Sequence, residues 1–529
     1  MTEPGTWSTA LIRAALLLCA FCLAGPALAA DQVLRLALHG DIRGFNPGVT
    51  RDGDTDTVHH HIFESLVAYD ADLNVQPMLA ESVTVSEDLT RYEFRLRPDL
   101  IFHNGEKVTA DHVVWSWRRM LDPQTGWRCR AWYDGSANQG AKIESVTIDG
   151  DGGIVFELAR PSAVFLDRMA NVQCLTAILH PESVLPDGSF GHPIGTGPYE
   201  LAEWRRGEYI ELRRFDGYSP RPEPPSGYAG ARIALAPVLR FMVVPDPAIA
   251  QAGLLSGDID ILPNVPLHLV SELERVPDVH TEAADLLYWE VLLMQTRHPL
   301  LEDLRIRQAI AHAINIEQVT AIASFDHARA NPSAVPYISR FHTEAHDQGI
   351  AYDPERARAL LRAAGYDGQV LRLQTNRKYS FMFDTAVAVQ AMLVAVGMDV
   401  RLEVVDWATQ LGNYFSGDFE LGSFGYSGRT HPVLNYATIL GSKDRSASYQ
   451  WESEAALELS AAADQLVDGG AQKQIFEEIH ALMIEEVPIV GLFNRFEVDA
   501  VRAGVVGYRP WSTGRPRLWG VERQAERRP

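Results

Sequence analysis

The fold is decided by residues 353–405, which read DPERARALLRAAGYDGQVLRLQTNRKYSFMFDTAVAVQAMLVAVGMDVRLEVV. Asp353 is placed to cap a helix with Pro354 at its first position, and Gly365 follows the last turn of that helix. The pattern then predicts a strand at residues 370–374, a helix at about 383–396 and a strand at 399–405. A strand, a helix and a strand in so few residues indicate a parallel crossover, and therefore an α/β fold.

The first half of the chain has a different character, with more strands and loops. Alternation predicts strands at residues 33–38, 92–97 and 209–215, whereas residues 220–230 are rich in proline and glycine and predict a surface loop. The second half also predicts a helix capped by Asp303. Two α/β bodies without an internal repeat predict two lobes beside a cleft, and such clefts are where small ligands bind.

The N-terminal segment has the three parts of a cleavable secretory signal. Arg13 is its only base, residues 14–24 are apolar, and Ala27 and Ala29 form an A-x-A site before Ala30. This apolar stretch is shorter than the roughly 20 residues that span a bilayer. Cys19 and Cys22 are not preceded by the small residue that a lipoprotein signal requires. We therefore predict cleavage after Ala29, no lipid anchor and a periplasmic mature protein.

The composition narrows the class of partner. The 529 residues are 46% hydrophobic and 22% charged, and the formal net charge is −22. So acidic a surface repels phosphate backbones, which argues against a nucleic-acid partner. No C-x-x-C pair follows the signal, so the sequence offers no support for structural zinc, and we expect no cofactor.

Two cysteines remain after the signal, Cys129 and Cys174. In an oxidising compartment they are candidates for a disulfide, and the alternative is a pair of separate buried thiols.

Eight short motifs occur in the order typical of one known family. They are LAES (79–82), YEFRLRP (92–98), FHNG (102–105), TADHV (109–113), PIGTGPY (193–199), LSGDID (255–260), RIRQAI (305–310) and residues 352–366. The chain thereby resembles the family 5 extracellular solute-binding proteins, the dipeptide-, oligopeptide- and nickel-binding subunits of ABC importers. The resemblance covers nearly all of the mature chain, and PIGTGPY is its most specific motif.

The resemblance implies a two-lobed clamp of the type II-like periplasmic binding proteins. Lobe I would comprise residues 30–285, with a subdomain of about 50–185 inserted in it, and the chain would return to it at 494–529. Lobe II would comprise residues 286–493, and the two chain crossings would act as a hinge. The implied function is capture of a small ligand between the lobes and its delivery to an inner-membrane permease, by a monomer. A ligand-presenting sensor is the alternative of the same fold.

An enzyme is the competing class. The chain has no G-x-S-x-G elbow, no P-loop and no H-E-x-x-H. Together with the family resemblance, this argues against a secreted hydrolase.

Two arginines are candidates for ligand binding. Arg377 matches the motif position at which dipeptide-binding members hold the ligand's carboxylate, and the alternative is a solvated surface arginine. Arg429 stands where peptide-binding members carry an aspartate that pairs with the ligand's ammonium. An arginine there would repel an ammonium, so we expect a ligand with negative or neutral polar groups, such as an acidic opine, a sugar acid or another modified amino acid. The alternative is that Arg429 points to solvent, because the run is one residue shorter.

The neighbours of Arg429 complete the predicted binding set. Ser427 and His431 flank it, while Tyr426 and Trp407 offer flat faces to a ligand or pack in the core.

His59, His60 and His61 invite a metal interpretation, but successive side chains of a helix fan out by about 100° and cannot converge on one ion. We predict surface histidines there and no metal site.

Overall fold

The computed structural model describes residues 33–136 and 140–524. The predicted secretory signal lies outside these residues. The strands are β1 (Val33–Leu38), β2 (Val67–Tyr69), β3 (Val75–Pro77), β4 (Ala80–Val85), β5 (Arg91–Leu96), β6 (Ile143–Ile148), β7 (Ile154–Leu158), β8 (Tyr199–Arg205), β9 (Tyr209–Arg214), β10 (Val238–Val243), β11 (Ile261–Leu262), β12 (Val279–Met294), β13 (Arg329–Ala330), β14 (Val370–Thr375), β15 (Asp399–Val404), β16 (Leu421–Tyr426), β17 (Ile489–Arg502), β18 (Val505–Val506) and β19 (Glu522–Arg523).

The α-helices of the described residues are α1 (Gly53–Ile62), α2 (Ala110–Leu121), α3 (Phe165–Met169), α4 (Pro247–Ser256), α5 (Val270–Leu273), α6 (Leu304–Ala313), α7 (Ile316–Ser324), α8 (Pro354–Ala364), α9 (Ser380–Ala395), α10 (Trp407–Ser416), α11 (Pro432–Ile439), α12 (Glu454–Ala463) and α13 (Gly469–Glu486). Within this described part of the chain, no helix combines the length and the apolar character needed to cross a membrane.

The protein has two lobes that share one 11-stranded sheet. Its strand order is β15-β14-β16-β12-β17-β11-β1-β10-β9-β8, with β13 paired to β17. The first lobe is built around β1 and β8–β11, and the second around β14–β16. The long antiparallel strands β12 and β17 run through both, so they are the two connections between the lobes.

The pairing of these two strands is interrupted between the lobes. It shifts register between Asp285, which faces Phe496, and Trp289, which faces Asn494. The predicted lobe boundaries at residues 285/286 and 493/494 fall at this irregularity. The boundaries themselves stay a prediction.

Residues 353–405 fold as predicted. Asp353 accepts a hydrogen bond from the Arg356 N–H at 2.9 Å, and Gly365 ends α8 at φ 74°, where a side chain would be strained. Strands β14 and β15 pair in parallel on either side of α9, as the crossover pattern requires. The helix capped by Asp303 is also confirmed.

A separate four-stranded sheet, β4-β5-β7-β6, lies within the first lobe's part of the chain. We call this sheet and the helices packed on it the inserted subdomain. Trp117 and Phe156 pack edge to face at its core. Cys129 and Cys174 form a disulfide beside this core, with their Cα atoms 5.9 Å apart.

The PIGTGPY motif is explained by a close backbone approach. A Cβ on Gly195 would lie 2.1 Å from the carbonyl oxygen of Ile62, and one on Gly197 would lie 2.5 Å from that of His61. Only glycine therefore lets this loop, which leads into β8, pack against the end of α1.

Two predictions about the surface are wrong. His59, His60 and His61 are buried, because each ring finds a hydrogen-bond partner inside the lobe: the carbonyls of Gly44, Val172 and Thr57, respectively, and for His61 also the Leu518 N–H. Burial lowers the pKa of His59 to about 4 and that of His61 to about 3. The loop at residues 220–230 is exposed only in its first half, since residues 227–230 are buried against the strand β2.

Candidate ligand-binding site

A cavity of about 1160 Å³ lies between the lobes. The first lobe contributes Asp41, Asp52, Asp54, Trp132 and Arg168 to its lining. The second lobe contributes Lys378, Tyr379, Trp407, Tyr426, Ser427 and Arg429. The connecting strands and the C-terminal tail supply Tyr288, Glu290, Arg495, Glu497 and Arg515. A concave space of this size, walled by aromatic and a few charged side chains, is typical of a site for a small ligand.

The loop after β16 forms one wall of the cavity. Its Gly428 lies against the connecting strand β12, where an added Cβ would come within 2.4 Å of the Leu287 Cβ. This close packing fixes the backbone between Ser427 and Arg429. Tyr426, Ser427 and Arg429 all line the cavity, and the prediction that they bind the ligand stays a prediction.

Arg429 reaches across to the inserted subdomain. Its Nη1 donates to the side-chain oxygen of Gln173, to the Ser427 hydroxyl at 3.0 Å and to the Ser427 carbonyl at 3.1 Å. Its guanidinium also lies 5.7 Å from the ring centroid of Trp132. Of the two orientations that the sequence left open, the structure has Arg429 in the cavity lining, and its role in ligand binding stays a prediction.

The charge of Arg429 is not balanced by a carboxylate. Among the described residues, its hydrogen-bond acceptors are all neutral, and its Nε is buried without a partner. Burial lowers the pKa of Arg429 to about 10, and the nearby charge of Arg51 acts in the same direction. At neutral pH the group is still a cation, so it is a desolvated positive charge with donors to spare.

Two further arginines, Arg51 and Arg515, lie near Arg429 on the first-lobe side of the cavity. Arg515 donates to the Tyr288 hydroxyl at 2.8 Å and lies 3.6 Å from Asp56, which also pairs with Arg51 at 3.1 Å. Two cations thus share one buried carboxylate. The positive charges of Arg51 and Arg515 both act to lower the pKa of Arg429, so its nearest charged neighbours include these two cations.

Tyr426 and Trp407 line the cavity and also belong to an aromatic cluster. Tyr426 stacks on Trp289 with 6.1 Å between ring centroids, and its hydroxyl lies 3.4 Å from that of Tyr414. Trp407 packs edge to face on Tyr379 at 5.1 Å. Both rings therefore pack against other aromatic side chains while they line the cavity.

Arg377 and His431 are not part of the cavity lining. Arg377 is exposed, and its guanidinium lies over the Phe383 ring at 4.1 Å. His431 is buried, where its Nδ1 accepts the Val433 N–H at the start of α11, and it packs on Phe341. The motif position of Arg377 and the sequence position of His431 did not reveal these orientations.

The charged residues of the cavity lining that the sequence did not single out include Glu290, Arg495 and Arg515. Glu290 is the only charged residue in residues 286–294, LLYWEVLLM. An acid is costly to bury in so apolar a strand, so this residue could have been chosen from the sequence as a candidate functional residue. No pattern marks Arg495 or Arg515, because each is brought to the cavity by the return of the chain from the second lobe.

One group outside the cavity has the composition of a metal site. Side-chain ligand atoms of Glu106, His112 and His180 lie within 4.8 Å of one another. However, the Nδ1 atoms of His112 and His180 accept backbone N–H groups at 3.1 and 3.3 Å, which leaves the proton of each neutral ring on Nε2. His180 Nε2 donates to Glu106 at 3.1 Å, so the group is explained as a hydrogen-bonded cluster.

The fold and the cavity define a two-lobed protein built to enclose a small ligand. Residues 74–448 match the model of the bacterial extracellular solute-binding proteins, family 5. The chain belongs to this family.

Relatives with established names agree with this assignment. The oligopeptide-binding protein AppA of Bacillus subtilis is 25% identical over 487 residues, which cover 87% of this chain and 85% of AppA. The structure of AgaA from A. tumefaciens R10 in complex with agropinic acid has a TM-score of 0.77 and 24% identity, over 93% of this chain and 99% of AgaA. That of DppA from Helicobacter pylori in complex with the peptide STSA has a TM-score of 0.79 and 22% identity, over 94% and 100%.

Proposed function

We propose that this protein is the periplasmic binding subunit of an ABC importer, and that it captures a small acidic ligand in the cavity between its lobes. The observation that carries the ligand class is Arg429, a desolvated cation at the cavity wall whose protein acceptors are all neutral. A carboxylate of the ligand would supply the missing counter-charge through charge-assisted hydrogen bonds.

The same residue disfavours a peptide bound as in the peptide-binding relatives. An ammonium placed against Arg429 would meet a like charge at low dielectric, and Arg51 and Arg515 would add to the repulsion. An acidic opine, a sugar acid or another modified amino acid fits better beside these arginines. Among the relatives, AgaA was solved with agropinic acid, whereas DppA was solved with a peptide, so the family accommodates both kinds of ligand.

The remaining parts of the proposal concern delivery. The predicted signal would send the chain to the periplasm, where we expect a monomer that docks on an inner-membrane permease. Tyr426, Ser427 and Trp407 would contact the ligand beside Arg429. The lobes, residues 30–285 with 494–529 and residues 286–493, would close about the irregular β12–β17 pairing. The role is binding and transport rather than catalysis.

The test begins with the ligand itself. Mass spectrometry of the small molecules that co-purify with the mature protein, followed by a thermal-shift screen of acidic opines, sugar acids and peptides, identifies what binds. A ligand present at a hundredfold excess over its Kd stabilises the folded state by about 2.7 kcal/mol. Stabilisation by peptides alone would contradict the proposed ligand class.

The Arg429→Ala variant tests the residue that carries the proposal. Calorimetry with the best acidic ligand should show a loss of affinity of about 10-fold to 100-fold, as for a lost hydrogen bond between charged groups. The Arg401→Ala variant is the matched control, because Arg401 is an exposed arginine of β15 that pairs with Asp399 away from the cavity. Equal affinities for Arg429→Ala and the wild type would show that Arg429 does not hold the ligand.

A further inference from the structure

Glu290 is a buried acid at the cavity wall, on the connecting strand β12. Its side chain is 2% exposed, although it belongs to the cavity lining. Its carboxylate lies over Gly425 of the paired strand β16, where an added Cβ would come within 2.6 Å of both oxygens. The glycine thus provides the space that the carboxylate occupies.

In the part of the chain that the structure describes, no group makes a hydrogen bond or a short ion pair with this carboxylate. Arg495, from the other paired strand β17, places its Nε 3.9 Å from Oε1, beyond hydrogen-bond distance. The guanidinium of Arg495 is instead held over the rings of Phe381, at 4.1 Å, and Tyr288, at 5.1 Å. Among the described residues, Oε1 of Glu290 has no hydrogen-bond partner.

The surroundings of Glu290 also determine whether its carboxyl group is protonated when no ligand is bound. Burial raises the pKa of Glu290 to about 8, and the charge of Arg495 offsets this only in part. The strand β16 presents Gly425 at this position and therefore no charge. At neutral pH the side chain is a neutral acid, which explains why it is tolerated without a partner.

We propose that Glu290 is a second ligand-binding residue, which receives a basic nitrogen of the ligand as an ion pair. The inference rests on the proposed function, since it concerns the same cavity. The protonated amine of the ligand would donate to the Glu290 carboxylate, and the proton of the neutral acid would leave to the solvent. One proton is therefore released for each ligand bound, and no other bond changes.

This role narrows the class of ligand. Arg429 selects a carboxylate, and Glu290 selects an amine, so an acid that also carries a basic nitrogen would satisfy both buried groups. An acid with a hydroxyl in place of the amine would satisfy only Arg429. An N-substituted amino acid or an aminosugar acid is accordingly preferred over a simple sugar acid.

The protonation state can be tested without any ligand. Infrared difference spectra of the empty protein, recorded across a pH titration, should show a protonated-carboxyl band that disappears at about pH 8. The Glu290→Gln variant should lack this band, and it should fold because the amide resembles the neutral acid in shape. The Glu355→Gln variant, at a highly exposed acid of α8, should retain the band. Burial also raises the pKa of Asp499 well above its usual range, so this acid contributes equally to both spectra. Identical wild-type and Glu290→Gln spectra near pH 8, or no wild-type band that titrates there, would overturn the inference.

Binding is tested with pairs of acids that differ at one group, such as D-glucosaminate and D-gluconate, and with N-carboxymethyl amino acids and their hydroxy analogues. We expect the amine-bearing member to bind more tightly to the wild type and to lose about 10-fold to 100-fold in affinity in Glu290→Gln. Calorimetry in buffers of different ionisation enthalpy should show release of about one proton at pH 7. Binding of only the amine-free acids would overturn this inference alone, whereas binding of no acid at all would overturn the proposed function with it.

Discussion

Arg168 and Asp464 form a buried ion pair between the inserted subdomain and the second lobe, with Nη2 of the arginine 3.2 Å from Oδ2 of the aspartate. Asp464 also accepts a hydrogen bond from the Ser162 hydroxyl at 2.8 Å, and its carbonyl accepts the Ala163 N–H at 2.6 Å. These contacts join residues about 300 positions apart in the chain. They hold the two lobes together on the side where Arg168 also reaches the cavity.

Replacing Asp464 with Asn should favour separation of the lobes. The change removes the carboxylate that pairs with Arg168 across the interface, which costs about 3–5 kcal/mol as long as the interface stays formed. Separation of the lobes would return the guanidinium to water. We expect a larger radius of gyration for the empty variant by small-angle X-ray scattering.

The control for this experiment is Asp216→Asn, which removes an exposed acid paired with Arg214 on the first lobe. The radius of gyration of Asp216→Asn should equal that of the wild type. A radius of gyration unchanged in Asp464→Asn would contradict a role of this pair in holding the lobes.

The disulfide between Cys129 and Cys174 should stabilise both the fold and the site. Closing a loop of 45 residues restricts the unfolded chain by about 4 kcal/mol. Gln173, the partner of Arg429, directly precedes Cys174. The Cys129→Ser/Cys174→Ser variant should therefore unfold at lower denaturant concentration and bind the acidic ligand more weakly.

Denaturant titrations with and without a reducing agent check this prediction. Reduction should destabilise the wild type to about the level of the double variant and leave the double variant unchanged. A wild type indifferent to reduction would show that the two thiols do not form a stabilising bridge.

The buried histidines of α1 should make the protein sensitive to acid. Burial lowers the pKa of His61 to about 3 and that of His59 to about 4, below the unfolded value of about 6.5. The unfolded state therefore binds more protons in this range, so the free energy of unfolding falls as the pH drops from about 6.5 towards 4. Above pH 7 these groups are neutral in both states and contribute no slope.

Denaturant unfolding at a series of pH values measures this dependence. In His61→Gln, which cannot take up a proton, the slope below pH 6.5 should be smaller by up to about one proton. At pH 7 to 8 the free energies of unfolding of the wild type and of His61→Gln should differ by a constant amount, because the variant also loses the hydrogen bond from the Leu518 N–H. Equal slopes in acid would mean that His61 takes up its proton in the folded state.

Adding a methyl group at Gly195 should disrupt the PIGTGPY loop. Its Cβ would lie 2.1 Å from the carbonyl oxygen of Ile62, and the backbone must shift to relieve the overlap. We expect Gly195→Ala to lower the free energy of unfolding by about 1–3 kcal/mol. Gly150→Ala, at a glycine with no atom within 4 Å of the added Cβ, is the matched control and should change it little. Similar stabilities of the two variants would refute the steric explanation of this motif.

Local patterns predicted much of the fold. The caps at Asp353 and Asp303 and the stop at Gly365 follow from interactions within a few residues, which a sequence shows directly. The ordered motifs predicted the family, and the family model confirms it over residues 74–448. The order of strands in the large sheet follows neither from propensity nor from alternation, since β11 is placed between β1 and β17, far apart in the chain.

The candidate site was only partly predictable. Arg429 was found because it stands where relatives carry an acid, but its approach to Gln173, 256 positions away, is a tertiary contact. Arg377 has a matching motif position, yet its side chain lies over Phe383 outside the cavity. Motif position fixes which residue is present, whereas packing decides which way it points.

The sequence by itself determined the α/β class, the family and the presence of an unexpected base in the loop after β16. The tertiary structure determined which ionisable side chains are buried and desolvated. In the sequence, Glu290 is one acid within an apolar segment, and His59, His60 and His61 were predicted to lie at the surface. Their burial depends on strands and loops that the chain brings back from distant positions, and desolvation by these neighbours is what raises or lowers their pKa values.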